Sequence, residues 1–313
     1  MVEGVLRATD WNIVIIDGLT YAGDLNRIGD IGCFAEERHR FRVVYHDLRS
    51  PITPEVHRQI GAVDLVWHLA ANSHVDRSLV DALPFAHATV VGTTNLLEYL
   101  RHNQPEMRRY IGFNTDEVFG PAPAGVYYAE DSKFRPSNPY SAAKAGQWAM
   151  EYSFAHSHRM PISMVHSMNI FGERQNVEKF IPMTIKNILQ GNRVLLHGSP
   201  EAPSCRHWIH AREVCNALLF LTEHAVPEQS YNVIGEERSV YELAMTFSEI
   251  IGLPANVQWL DYHSTRPGHD LRYAMDGGKL KAMGFAYTYP LDQSLEHMTR
   301  WMIAPEHRGW LEA

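Results

Sequence analysis

Two kinds of pattern alternate along the first half of the chain. Short apolar runs, "WNIVIID" (11–17), "FRVVYHD" (41–47), "AVDLVWHLAA" (62–71) and "RRYIGFN" (108–114), have the length and composition of buried strands. Between the last two, "FAHATVVGTTNLLEYLRHN" carries apolar residues at 90, 91, 96, 97 and 100 and predicts a helix. "AGQWAMEYSFAHSH" continues as a helix after Pro139, and "PISMVHSMNIFG" (161–172) is a strand leaving into a loop. Strands alternating with helices predict an α/β fold with a doubly wound parallel sheet. Ligands in such sheets bind beyond the carboxyl ends of the strands. Asp17, Asp47, Ala70-Ala71, Thr115-Asp116-Glu117 and Asn169 all fall at such ends. After residue 172 the pattern loosens into charged loops, a helix at "FIPMTIKNILQG", a strand at "NRVLLHG" and a Pro/His-rich segment at 261–270. This predicts a nucleotide-binding domain over 1–170 and a smaller lobe over 171–313, some of whose segments return to the first domain.

Composition narrows the class of function. With 313 residues, 45% of them hydrophobic and 20% charged, the chain can bury a large core. A net charge of -8 argues against a nucleic-acid partner or an anionic membrane surface, while leaving room for an anionic substrate in a locally basic pocket. No apolar run is long enough to span a bilayer, and Met1 to Asp10 lacks the apolar core of a signal peptide. Cys33, Cys205 and Cys215 show no metal-like spacing. So sparse and odd a set suits a reducing cytoplasm, with all three as packing residues.

The candidate chemistry sits on either side of one strand end. Tyr140 and Lys144 form Y-x-x-x-K at the start of a helix, on one face by their i, i+4 spacing. A nearby ammonium lowers a phenol's pKa and lets it act as a base. Upstream, Thr115 ends a strand and is followed by two adjacent carboxylates, Asp116 and Glu117. Two buried carboxylates side by side repel each other, so the pair is either a solvated turn or a functional site.

The sequence resembles the extended short-chain dehydrogenase/reductase family, and within it the dTDP-glucose 4,6-dehydratases. The resemblance rests on "DGLTYAGDL" (17–25), "ANSHVDRS" (71–78), "NTDEVFG" (114–120), "NPYSAAK" (138–144), "NIFG" (169–172), "EKFIP" (178–182), "RHWIH" (206–210), "YNVIG" (231–235) and "RPGHDLRYAMD" (266–276). It implies an NAD-dependent nucleotide-sugar dehydratase that forms a 4-keto-6-deoxy sugar nucleotide. Tyr140, with Thr115 and Lys144, would oxidise C4. Glu117 would then remove the C5 proton while Asp116 protonates the departing 6-hydroxyl. Two carboxylates in different environments can divide those roles. The resemblance maps Asp17, Thr20, Tyr21, Ala22, Asp47, Leu48, Ala70 and Ala71 to NAD, together with Tyr140 and Lys144. A carboxylate at Asp17 favours NAD over its 2′-phosphorylated form. It maps Ser73, Asn169, Lys179, Arg206, Asn232 and Arg266 to the nucleotide-sugar substrate. It also implies a homodimer formed through two helices packed as a four-helix bundle. Sugar epimerases of the same fold generally lack the Asp-Glu pair. Two alternatives stay open: an epimerase or decarboxylase of this scaffold, and a nucleotide-sugar-binding protein without turnover.

One motif is missing. A dinucleotide fold opens with a strand and a glycine-rich turn about 20 residues before the ribose-binding acid. Counting back from Asp17 passes Met1, and no G-x-x-G-x-x-G occurs in the first forty residues. "VEGVLRAT" reads as the tail of the first helix. The expectation is a Rossmann-like sheet lacking its first strand and glycine loop, from a sequence that begins at an internal methionine of a longer chain.

Overall fold

The computed structural model describes residues 1–261 and 272–312. They form two compact units. The first comprises Met1–Phe119, Glu130–Ser167 and Cys215–Asn232, and the second Gly120–Ala129, Met168–Val214 and Val233–Ala313. In chain order the strands of the first unit are β1 (Ile13–Asp17), β2 (Phe41–Tyr45), β3 (Leu65–His68), β4 (Arg109–Thr115) and β5 (Ile162–Ser167). Then come β6 (Asn169–Phe171), β7 (Arg193–His197), β8 (Cys205–His210), β9 (Ser230–Val233), β10 (Glu236–Ser239) and β11 (Asn256–Leu260).

In the first unit β1 pairs with β2, β3 with β4, and β4 with β5, all parallel. Parallel strands need covered faces, and their near-continuous apolar runs supply them. Leu97, Tyr110, Ile162 and Met164 are fully buried in this unit's core. Each such side chain contributes about 1.5–3 kcal/mol through burial. The result is an α/β, Rossmann-like fold. In the second unit β10, β8 and β6 form a mixed sheet and β11 pairs parallel with β7. Its core is built around Ile185, Leu196, Phe247 and Met298.

Two features of the first unit differ from a continuous doubly wound sheet. β1 and β2 form their own ribbon, while the larger sheet runs in the order β3-β4-β5-β9. Among the described residues no strand is hydrogen-bonded between β1 and β3. Residues of both strands, among them Val14, Ile16, Val66 and His68, line one cleft of about 1100 Å³. The expected gap in the strand order is therefore present, and Val2–Ala8 is helical, as "VEGVLRAT" predicts. The second feature lies in the helix expected after β3. Gly92–Asn103 is α-helical, but His87–Val91 just before it is a π-helical turn. There Val90 presses against the helix Pro139–His158: a Cβ on Gly146 would come within 2.8 Å of Val90 Cγ2. The 3.6-residue period carries no mark of such a turn, which changes the ring size of a few hydrogen bonds only. No described helix is long and apolar enough to cross a membrane.

Candidate active site

The site begins where β4 ends. Its last residue, Thr115, is followed at once by a short 3₁₀ turn, Asp116–Phe119. Val118 and Phe119 are buried and anchor this turn in the core. That anchoring holds the two carboxylates in place, where a solvated turn would leave them free. Asp116 is itself buried, and its Oδ1 accepts a hydrogen bond from the Thr115 hydroxyl at 3.0 Å. Glu117 is only partly buried, and its Oε2 accepts from Asn138 Nδ2 at 2.9 Å. The two neighbours thus sit in different surroundings.

Asn138 holds a second element too. It caps the helix Pro139–His158, with its side chain accepting from Ser141 N at 2.9 Å and Ser141 Oγ accepting from Asn138 N at 3.2 Å. Proline at the first helical position costs nothing there, since that N–H has no helical partner. One asparagine therefore fixes both the helix start and the Glu117 carboxylate. Ser78 adds a tie by accepting from Tyr140 N at 3.2 Å. Asn138 and Ser78 lie within the motifs "NPYSAAK" and "ANSHVDRS", which by themselves give neither residue a role. The signal for Asn138 is an N-cap type directly before proline.

Tyr140 is half-buried, and the loss of water around its phenol together with the Glu117 charge pushes its pKa well above the ordinary phenol value. A hydrogen bond with Thr115 works in the opposite direction. The sequence-based expectation of a phenol lowered by Lys144 is thus not met in the protein alone. Lys144 is buried, and its Nζ donates to the Phe113 carbonyl at 2.5 Å and to Gln147 Oε1 at 2.6 Å. Burial lowers the Lys144 pKa to about 8. Thr115, Asp116, Glu117, Tyr140 and Lys144 are all brought together in the first unit.

The remaining predicted residues divide by unit. Asp17 lies exposed at the carboxyl end of β1, with Oδ1 accepting from Leu19 N at 2.7 Å. Thr20 closes a tight turn with Gly23 N, Tyr21 stacks its ring under the Arg77 guanidinium at 4.1 Å, and Ala22 O accepts from Arg27. Asp47, beyond the end of β2, is engaged by Arg49 at 2.5 Å and caps its own turn, which holds its carboxyl below the usual range. Leu48 O accepts from Asn95 Nδ2 at 2.7 Å, and Ala70, Ala71 and Ser73 are exposed in the loop beyond β3. Asn232 is fully buried on β9, where its backbone N donates to Glu130. In the second unit Asn169 pairs with Trp208, two residues from Arg206 on the neighbouring strand. Arg206 is buried over the Tyr273 ring at 4.8 Å, and Lys179 precedes the helix Phe180–Leu189. Arg266 and His269 lie outside the described residues. Cys33, Cys205 and Cys215 are free thiols, of which Cys215 is buried.

These residues fit NAD at two places. The exposed Asp17 carboxylate, at a strand end, can accept from ribose hydroxyls. The small Ala70 and Ala71 leave the end of β3 open for close approach, and Thr115, Tyr140 and Lys144 stand at the end of β4.

A family model described as GDP-mannose 4,6 dehydratase matches residues 2–298. Low-salt glycan biosynthesis protein Agl12 of Haloferax volcanii is 32% identical over 296 residues, covering 94% of this chain and 91% of that protein. The dTDP-glucose 4,6-dehydratase of Streptomyces griseus is 32% identical over 308 residues, covering 96% of this chain and 87% of the relative. Among solved structures, DesIV, a dTDP-glucose 4,6-dehydratase from Streptomyces venezuelae with NAD and TYD bound, superposes with a TM-score of 0.86. It is 28% identical, over 99% of this chain and 92% of that one. A family match that runs from the first helix through every strand described above makes this chain a member of the GDP-mannose 4,6 dehydratase family.

Proposed function

We propose that the protein is an NAD-dependent nucleoside-diphosphate-glucose 4,6-dehydratase, with dTDP-glucose as its substrate, that forms a 4-keto-6-deoxy sugar nucleotide. The observation that carries this reading is the unequal carboxylate pair, with Asp116 buried on Thr115 and Glu117 held by Asn138 beside the Tyr140 phenol. Relatives named dTDP-glucose 4,6-dehydratase at 30–32% identity support the same chemistry.

The residues act in order. NAD, held at Asp17 and beside Thr115, Tyr140 and Lys144, would supply the hydride acceptor for C4 and the hydride donor for C6. Tyr140 accepts the C4 hydroxyl proton as the C4–H bond breaks, leaving a 4-ketone. Its raised pKa means it needs positive charge beside it to do so, and Lys144, one turn further along the same helix face, is the cation available. The ketone acidifies the C5 proton, which Glu117 removes. Asp116 protonates the 6-hydroxyl, which leaves as water. Asp17 orients the adenosine ribose, and the first unit serves as the cofactor domain. The second unit, with Asn169, Lys179 and Arg206, serves as the substrate lobe; Ser73, Asn232 and Arg266 complete the substrate contacts. Arginine suits a diphosphate through its forked donors. The protein works in the cytoplasm as a homodimer.

The test is incubation with dTDP-, UDP-, GDP- and CDP-glucose plus NAD⁺, followed by mass measurement. The expected product has lost one water, fastest from dTDP-glucose. A product of unchanged mass would make the protein an epimerase, and no product from any of the four would refute the assignment.

A further inference from the structure

Behind Lys144 lies a buried acid that the proposed reaction does not use. Lys144, Gln147 and Glu151 follow one another at i, i+3 and i+7 on the helix Pro139–His158, and all three are buried. Gln147 turns its carbonyl to the ammonium at 2.6 Å and its amide nitrogen to Glu151 Oε1 at 2.8 Å. The rest of the Glu151 cradle comes from β4. Tyr110 donates its hydroxyl to Oε1 at 3.0 Å, and Asn114 donates Nδ2 to Oε2 at 3.0 Å. Tyr110, Gly112 and Asn114 alternate along β4, so they share one face of the sheet. Gly112 lies between the two donors, and a Cβ there would come 2.1 Å from Glu151 Oε1. The carboxylate thus lies directly on the strand backbone. Behind Tyr110, His68 Nδ1 approaches the phenol oxygen at 2.7 Å and Glu151 Oε1 at 3.6 Å.

A fully buried carboxylate with only neutral donors is costly, and the cost falls when a cation is tied to the same network. Among the described residues the titratable groups facing Glu151 are Tyr110 and His68 from the sheet and, through Gln147, Lys144 from its own helix. The Tyr110 phenol is held protonated by burial and by the Glu151 charge. We infer that Glu151 is a positioning residue for the Tyr140–Lys144 pair: through Gln147 it acts as the buried counter-ion that keeps Lys144 an ammonium ion, fixed for the oxidation at C4. The inference rests on the dehydratase assignment for its purpose but not for its test. Burial lowers the Lys144 pKa and the Glu151 charge opposes that fall, so loss of the charge lets Lys144 deprotonate at lower pH.

The experiment is a pH titration of Lys144 by NMR, with Cε-labelled lysine and the resonance assigned by its loss in Lys144→Met. It needs neither substrate nor NAD. In Glu151→Gln, which keeps shape and volume, the Lys144 midpoint is expected to fall by about one pH unit or more. Should that variant fail to fold, Gln147→Leu cuts the bridge and is expected to lower the midpoint in the same direction. In turnover, Glu151→Gln should lower kcat roughly tenfold at pH 8 with KM unchanged, and most of the loss should disappear near pH 6, where the lysine is protonated either way. A Lys144 midpoint unmoved in the folded variant would overturn the inference, as would a kcat loss equal at both pH values. A titration shift in a protein that turns over no nucleotide sugar would uphold the counter-ion and sink only the dehydratase.

Discussion

Asp116 and Glu117 are adjacent in sequence yet held by different partners, and that difference is what would let one serve as acid and the other as base in the proposed reaction. Replacement of Glu117 by Gln should therefore stop the reaction after oxidation. The expected result is a 4-keto-glucose nucleotide that accumulates on the enzyme, detected by mass spectrometry of the quenched mixture. Normal water loss would show that the pair has no part in elimination. Tyr140→Phe acts one step earlier. It removes the only proposed acceptor of the C4 proton, so turnover should fall by about 10²–10⁴ with the fold intact by circular dichroism. Rates near wild type would rule out the phenol as base. Lys144 adds a pH limit. Its ammonium is lost as pH rises through about 8, so kcat should decline above that value, and the decline should vanish in Lys144→Met against a much lower plateau.

At the scale of elements, an ion cluster ties the segment just beyond the end of β6 to the end of β8 in the second unit. Glu173 lies 2.6 Å from Arg212, 3.2 Å from His210 and 3.4 Å from His297. Burial alone would raise its pKa, but the hydrogen bond and charge of His210, with Arg212, bring it down from 4.5 to about 2. A depressed carboxylate contributes stability above its unfolded pKa and loses it as pH falls through the folded one. The loss should therefore run from pH 4.5 down to about 2. Glu173→Gln should cost roughly 2 kcal/mol in urea unfolding at pH 7 and flatten the pH dependence of stability in that acid range. An unchanged acid profile would mean the cluster is solvent-screened. The strand ends were legible in the sequence because each apolar run stops at a polar residue with its own chemistry, as at Asp17 and Thr115. The helix start at Asn138-Pro139-Tyr140 was legible for the same local reason. Gly112 was not. It stands inside an apolar run, and its meaning depends on Glu151 arriving from a distant helix, which no periodicity encodes. The Asp47–Arg49 pair was hidden differently: both charges were visible, but their pairing takes a turn geometry that sequence does not specify.

At the scale of the molecule, the two units each have their own core, and the proposed chemistry lies in the first. The order β3-β4-β5-β9 supports Thr115 and the Asp-Glu pair from a sheet joined by backbone hydrogen bonds. The β1–β2 ribbon, which presents Asp17, has no such bonds to that sheet among the described residues. It is held to the rest of the unit by the packing of side chains such as Val14, Ile16 and Val44 and by the Arg42 guanidinium on the Ile60 carbonyl. Side-chain packing without a shared ladder lets a segment open on its own, as a separate cooperative unit with a lower opening free energy. Native-state hydrogen exchange should show this as two populations of strand amides. Those of Val14 to Asp17 and of the β2 residues bonded to them are expected to exchange together, at least tenfold faster than those of β4 and β5. A common exchange rate across all these strands would mean that the ribbon and the sheet open as one. If the two populations are found, the proposed adenosine end and the proposed reactive end of the site rest on parts of the protein that breathe independently. A nucleotide bound at Asp17 should then slow the ribbon's exchange while leaving that of β4 nearly unchanged.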